Sequence, residues 1–256
     1  MKLVFCINDF GSRTYNLFLT KAAILSAKLH TPYEIVCIFD GDNPYFENFL
    51  TQYSVEVIKP EMSIANIVRM TLSCQHSSSD FWEKDYNTII NFATGAFLRF
   101  EVANYIEGDY CLYADVDTLF TDKFKAPEIK PEYMAMSRQD FSHDGDFNSG
   151  VILFNLKNFK ELYKELIQKI CGDHKWVDNM YDQYIVNTHF KEKIEDLDMT
   201  YNWRPGFGVH ANAQIVHYER AKPLQSHAGI YQSIKGTDSY RYYEELFFEK
   251  LKEFNI

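Results

Sequence analysis

Three short apolar runs, each stopping on an amide or an acid, constrain this chain more than any other feature. "LVFCI" ends at Asn8 and Asp9, "YEIVCIF" at Asp40, and "YCLYA" at Asp115 and Asp117. Between the first two lies "NLFLTKAAILSAKLH", where Leu17, Ala22, Leu25 and Leu29 fall near helical spacing. "SVEVIKP" alternates like a third, shorter strand, and "NFATGAFLRFEVANYI" reads as a helix with Thr94 as an internal cap. Strand and helix thus alternate through the first 120 residues, the signature of a mostly parallel, doubly wound α/β sheet. Such sheets bind ligands beyond the carboxyl ends of their strands, where the polar clusters of this chain sit.

The second half continues the pattern less regularly. "YMAMSR" reads as a strand, and "FNSGVILFNL" as a clearer one preceded by Asn148, Ser149 and Gly150. "KNFKELYKELIQKI" is amphipathic, with Phe159, Leu162, Leu166 and Ile170 on one face. "YDQYIVNTHF", the loop "YNWRPGFG", a short strand "AQIVHY" and a helix over about 240–254 complete the chain. That last helix carries Tyr243, Phe247, Leu251 and Phe254 on one stripe with its charges balanced, so it is expected to dock on the core. With no repeat or linker, residues 1–256 read as one domain.

Composition excludes several classes. A net charge of -10 argues against a general affinity for nucleic acid or anionic lipid. The apolar start, Leu3 to Ile7, is too short for a signal peptide, and no run is long enough to span a bilayer. Five scattered cysteines (Cys6, Cys37, Cys74, Cys111, Cys171) form no CxxC pair, so reduced thiols, a cytoplasmic setting and no zinc site are expected. GxGxxG, P-loop, GxSxG and HExxH motifs are absent.

The Asp115–Asp117 pair has two readings. In the plainer one, Asp117 caps a turn and Asp115 is solvated. In the sharper one, both hold a divalent cation whose charge offsets their repulsion. A phosphatase of the haloacid-dehalogenase type is the weaker rival, because its Asp-x-Asp lies near the N-terminus with Thr two residues beyond the second Asp, whereas Thr118 follows Asp117 directly. His217 stands apart from the other histidines by ending an apolar strand just before Arg220 and Lys222.

"RFEVANYIEGDYCLYADVDTLF", "FNSGVILFNL", "DQYIVNTHF", "TYNW" and "IVHYERAKP" follow one another in the order found in glycosyltransferase family 8, the family of glycogenin and the lipopolysaccharide galactosyltransferases. The N-terminal "VFCINDF" is similar as well, and the resemblance covers most of residues 1–225. It implies a GT-A fold and retaining transfer of a hexose from a UDP-sugar to a glycan, lipid-linked or protein acceptor, with Mn2+ (or Mg2+) as cofactor. Position by position, it implies that Asn8 and Asp9 lie against the uridine and that Asp115, Asp117 and His217 hold the metal, Asp115 also reaching the ribose. Arg99, Asn148, Ser149 and Lys222 would bind the donor, and Asp182 and Gln183 would flank the anomeric carbon. Whether transfer is front-face or passes through a covalent intermediate stays open.

Each role has a structural rival: Asn8, Asp9 and Asp182 as helix caps, Asn148 and Ser149 as turn residues, Arg99 as a partner of Glu101 or Asp109. Two stretches depart from the family pattern. "HYERAKPL" is one residue shorter than the family's His-to-Lys spacing, lacks its glycine and has Leu224 in place of Trp, so Arg220 competes with Lys222 for the phosphates. At the N-terminus either Phe10 or Tyr15 is the aromatic that would stack on the base. A binding protein that has lost catalysis, serving as an assembly partner, is the alternative to the enzyme.

Overall fold

The computed structural model describes residues 1–61, 64–76, 86–225 and 230–254, with Cys74 outside the described side chains. The first apolar run forms β1 (Lys2–Asn8), and a short α1 (Asp9–Arg13) follows at once because the Asn8 side chain accepts from the Gly11 amide at 2.9 Å. Next come α2 (Asn16–His30), β2 (Glu34–Asp40), α3 (Pro44–Gln52), β3 (Glu56–Ile58) and α4 (Ile64–His76). β1 and β2 run parallel in a register that pairs Asn8 with Asp40, so their polar ends emerge side by side.

The predicted helix over 91–106 is broken in three. It comprises α5 (Tyr86–Phe97), a tighter 3-10 turn at Leu98–Glu101 and α6 (Val102–Tyr105). The turn lets Arg99 fold back so that its Nε donates to the Ala96 carbonyl at 2.8 Å, an oxygen that a continuous α-helix would use itself. Thr94 is no cap. Its hydroxyl donates to the Ile90 carbonyl inside α5 at 2.7 Å and accepts from Asn8 at 3.0 Å.

β4 (Tyr110–Ala114), β5 (Thr118–Phe120), β6 (Met134–Arg138) and β7 (Phe147–Asn155) follow. Asn148, Ser149 and Gly150, expected ahead of a strand, lie within β7, because Ser137 and Arg138 of β6 continue the pairing past a register shift at Met136/Ser137. Then come α7 (Leu156–Gly172), α8 (Asp182–His189), β8 (Ile194–Asp196), β9 (Ile215–His217), α9 (Ile230–Lys235) and α10 (Asp238–Glu253). The main sheet has seven strands in the order β3-β2-β1-β4-β7-β6-β8 and is mostly parallel, with β7 antiparallel to both neighbours. Both faces are covered: Leu3, Phe5 and Ile7 of β1 enter one apolar cluster, Val4 and Cys6 the other. This is the two-sided burial a parallel sheet requires.

A third cluster joins β9 to α10 through Trp203, Tyr218, Tyr240, Tyr243, Phe247 and Leu251. At roughly 1.5–3 kcal/mol for each large apolar side chain, this burial decides for core docking of α10. Among the described residues no helix is long and apolar enough to cross a membrane. Cys6, Cys37 and Cys111 are buried free thiols, and burial pushes Cys37 up to about 12.

Candidate active site

The strand order reverses between β1 and β4, and a cavity of about 480 Å3 opens beyond their carboxyl ends. Asn8, Arg99, Asp115, Asp117, Asn148, Ser149, Asp182, Gln183, His217 and Lys222 all line it, although they span more than 200 positions of sequence. Asp9 does not. Its carboxylate takes Arg13 Nε at 2.7 Å and the Asp42 amide at 3.1 Å, outside the lining. Of the two candidate stacking aromatics, Phe10 lines the cavity, edge-on to Phe92 at 5.8 Å, and Tyr15 does not.

Backbone pairing makes the acidic centre. The Asp115 amide donates to the Gly150 carbonyl at 2.8 Å, tying the end of β4 to β7. β5 pairs antiparallel with β9 so that Thr118 faces His217, bringing the imidazole across about 100 residues to the two aspartates. Ligand atoms of Asp115, Asp117 and His217 then all lie within 4.8 Å of one another.

Each carboxylate also has a cation of its own. Arg99 reaches Asp115 at 3.0 Å, where the Tyr113 hydroxyl also donates, and Lys222 reaches Asp117 at 2.6 Å. Burial pushes Asp117 up, but Lys222 and His217 outweigh it and hold the carboxyl well below the usual range.

The His217 tautomer follows from the hydrogen bonds around it. Asn202, fully buried, gives its amide hydrogen to Asn148 Oδ1 at 2.8 Å, leaving its own oxygen to accept from His217 Nδ1 at 2.8 Å. Nδ1 therefore carries a proton, and Nε2 is the ring nitrogen turned to the acids, 3.4 Å from Asp117 and 3.7 Å from Asp115. Three ligand groups converging in this way suit a divalent cation with oxygen and imidazole ligands. Gly150 leaves the room: a Cβ there would lie 2.1 Å from His217 Cε1. Gly150→Ala should therefore displace the imidazole and weaken any divalent-cation binding at this cluster by on the order of 10–100-fold, as disturbed ligand support does elsewhere. Calorimetric titration of the metal checks this.

On the other wall, Met180 and Tyr181 both adopt positive φ (63° and 50°), a costly turn for residues with side chains. It delivers Asp182 and Gln183, the first residues of α8, into the cavity. Asp182 does not cap α8, because it is already helical and the preceding Tyr181 makes no side-chain cap. Burial pushes its carboxyl up to about 6 against the pull of Arg99, whose Nε lies 3.2 Å away, and Oδ2 accepts no hydrogen bond. Arg99 is committed to Asp115, Asp182 and the Ser149 carbonyl, with Tyr113 stacked 5.0 Å below, and not to Glu101 or Asp109. Gln183 is held at both ends: its amide donates to Gln139 at 3.1 Å and its oxygen accepts from Asn148 at 3.2 Å.

Four contributors escape a reading of the sequence. Glu219 accepts from Asn148 at 2.6 Å and from Gln139 at 3.1 Å, closing a network in the cavity wall. It lies two residues beyond His217, just past the end of β9 where the chain bends, so strand alternation gave no sure signal for it. Gln139, Asn202 and Tyr113 had none either.

No family model matches the chain. It is 26% identical over 171 residues to "Glycosyltransferase GlyF" of Streptococcus pneumoniae, covering 59% of this chain and 42% of that protein. To "Glycosyltransferase GlyE" of the same organism it is 28% identical over 146 residues, 55% of this chain and 36% of that one. The chain thus spans less than half the length of these relatives. Among solved structures, the galactosyltransferase LgtC, bound to donor and acceptor sugar analogues, superposes with a TM-score of 0.65 at 19% identity, covering 99% of this chain and 96% of that one. The chain is therefore a homologue of glycosyltransferases and is built on a GT-A-like fold.

Proposed function

We propose that residues 1–256 act as one metal-dependent, retaining hexosyltransferase domain that takes its sugar from a UDP-sugar and passes it to a carbohydrate-containing or protein acceptor. The convergence of Asp115, Asp117 and His217 beside the buried Asp182 carboxylate carries the reading. Asp115, Asp117 and His217 would hold Mn2+ or Mg2+, which when bound supplies positive charge to the departing diphosphate. Lys222, on the same cavity wall, adds a second charge toward that leaving group. Asn8 and Phe10 would receive the nucleotide, and Asn148 and Ser149 the sugar.

As the glycosyl–phosphate bond breaks, its electron pair leaves with the diphosphate and positive charge grows on the sugar. Asp182 Oδ2 accepts no hydrogen bond, although Arg99 Nε lies 3.2 Å from it, and this reading gives that oxygen the growing positive charge to face. Arg99 fixes Asp115 and Asp182 from between them, so its work is to position both carboxylates.

A panel of nucleotide sugars incubated with Mn2+ tests the reading. One UDP-sugar should be hydrolysed in preference to the others, with the anomeric configuration retained by NMR. Binding of UDP-sugars with no turnover on any of them would favour the non-catalytic partner instead. Lys222 touches Asp117 while Arg220, half exposed, pairs with Glu219 at 3.1 Å. Lys222→Ala should accordingly lower turnover more than Arg220→Ala, and the reverse order would hand the phosphate role to Arg220.

A further inference from the structure

Each group that converges on the proposed cation site has one atom pinned from behind. Asp115 Oδ1 takes the Tyr113 hydroxyl and Arg99, and Asp117 Oδ2 takes Lys222. The second oxygens, Asp115 Oδ2 and Asp117 Oδ1, are the ones turned to His217 Nε2. His217 itself is pinned at Nδ1 by Asn202, a fully buried residue without charge.

Backbone pairing holds Asn202 and His217 in one frame. Asn202 closes the 3-10 turn Met199–Asn202, whose start Asp198 caps through the Thr200 amide at 2.8 Å. The following Trp203 donates its amide to the Ile215 carbonyl at 2.9 Å, and its own carbonyl accepts from the His217 amide at 2.8 Å. The side chains at 202 and 217 therefore meet across a stretch paired to β9.

A side-chain amide can be turned end for end, so its polarity needs an outside reference. Two groups with a single role supply it. The Gly150 backbone amide can only donate, and it gives its hydrogen to Asn148 Oδ1 at 3.0 Å. The Glu219 carboxylate accepts from Asn148 Nδ2 at 2.6 Å. Asn148 is thereby fixed, so Asn202 must turn its nitrogen to Asn148 Oδ1, at 2.8 Å, and its oxygen to His217. Reversed, it would set two oxygens face to face with no hydrogen between them, which burial makes costly.

We propose that Asn202 is a positioning residue of the transfer reaction: it holds a proton on His217 Nδ1 and so reserves Nε2 for the cation, with its own polarity set through Asn148. The proposal rests on the glycosyltransferase reading, in which Asp115, Asp117 and His217 hold a divalent cation. A coordinating histidine commonly depends on a partner for its other ring nitrogen.

Calorimetric titration of the whole protein with Mn2+, in the absence of nucleotide, tests it. Asn202→Leu keeps the bulk but accepts nothing from Nδ1, so affinity should fall by on the order of 10–100-fold. Asn202→Asp restores an acceptor and should recover most of that loss, whereas a role in packing alone would favour Leu over Asp in so buried a place. Asn148→Leu, one step removed from His217, should weaken Mn2+ in the same direction by releasing Asn202. A measurement on the wild type serves if these variants fail to fold. With Zn2+ as a diamagnetic probe and histidine labelled with 15N, His217 should show its proton on Nδ1 and its Nε2 resonance shifted by the metal. Unchanged Mn2+ affinity in Asn202→Leu, or a His217 proton on Nε2 in the loaded protein, overturns the positioning role and leaves the cation site standing. Failure of the wild type to bind either ion sinks the cation site, and the role of Asn202 with it.

Discussion

Asp182→Asn should lower kcat by on the order of 10²-fold or more while UDP affinity stays unchanged, because a preorganised charge facing a developing charge is typically worth several kcal/mol. The amide keeps the size of the side chain and can still face Arg99. The carboxyl is raised to about 6 by burial, which gives the wild type two further signatures. A carboxylate acts on positive charge only when ionised, so kcat/KM should climb through pH 6, and this acid limb should vanish in the variant. In stability the sign is opposite. Between the unfolded value, about 3.9, and about 6 the folded protein holds the proton that the unfolded chain has released, so stability falls as pH rises through that window. Asp182→Asn cannot ionise, lacks this slope, and should be at least as stable as the wild type at pH 7. Lost turnover with undiminished stability is measurable by thermal unfolding beside the rate assay. Near-normal turnover would reduce Asp182 to a structural residue.

Asp117→Asn should be as damaging for a different reason, cutting turnover by on the order of 10²–10³-fold through weaker charge stabilisation of the leaving group. Here the carboxyl is held below the usual range by Lys222 and His217, so its charge is present at every working pH and no pH change should rescue the variant. Removing one member of a buried pair commonly costs about 3–5 kcal/mol. Lys222 keeps about a quarter of its side chain in water, so the loss here should fall below that range. A melting curve of the variant without ligands separates this folding cost from the catalytic one.

Much of this architecture was legible in the chain itself because apolar strands that stop on acids betray both the sheet and the edge where ligands bind. The α/β class, the strand ends at Asn8, Asp40 and Asp115, the helix at Leu156–Gly172 and the docking of α10 all follow from periodicity. What escaped depends on side chains meeting across the sheet. Arg99 could not be matched to Asp115 and Asp182 by any spacing, since its direction is set by a 3-10 turn inside what reads as one helix. Asn148 and Ser149 look like turn residues until the irregular β6 partner draws them into β7. Asp9, next to Asn8 in sequence, diverges from it because the start of α1 rotates successive side chains apart.

The central claim, a UDP-sugar site completed by a divalent cation on Asp115, Asp117 and His217, is tested most directly by thermal unfolding with UDP in the presence of Mn2+ or of chelator. At a hundredfold excess over Kd, bound ligand should add about 2.7 kcal/mol, or about 5–10 °C for a chain of this size. That rise should appear with Mn2+, shrink to little with chelator, and be missing from Asp117→Asn under both conditions. An equal rise with and without metal in the wild type would contradict the proposed site.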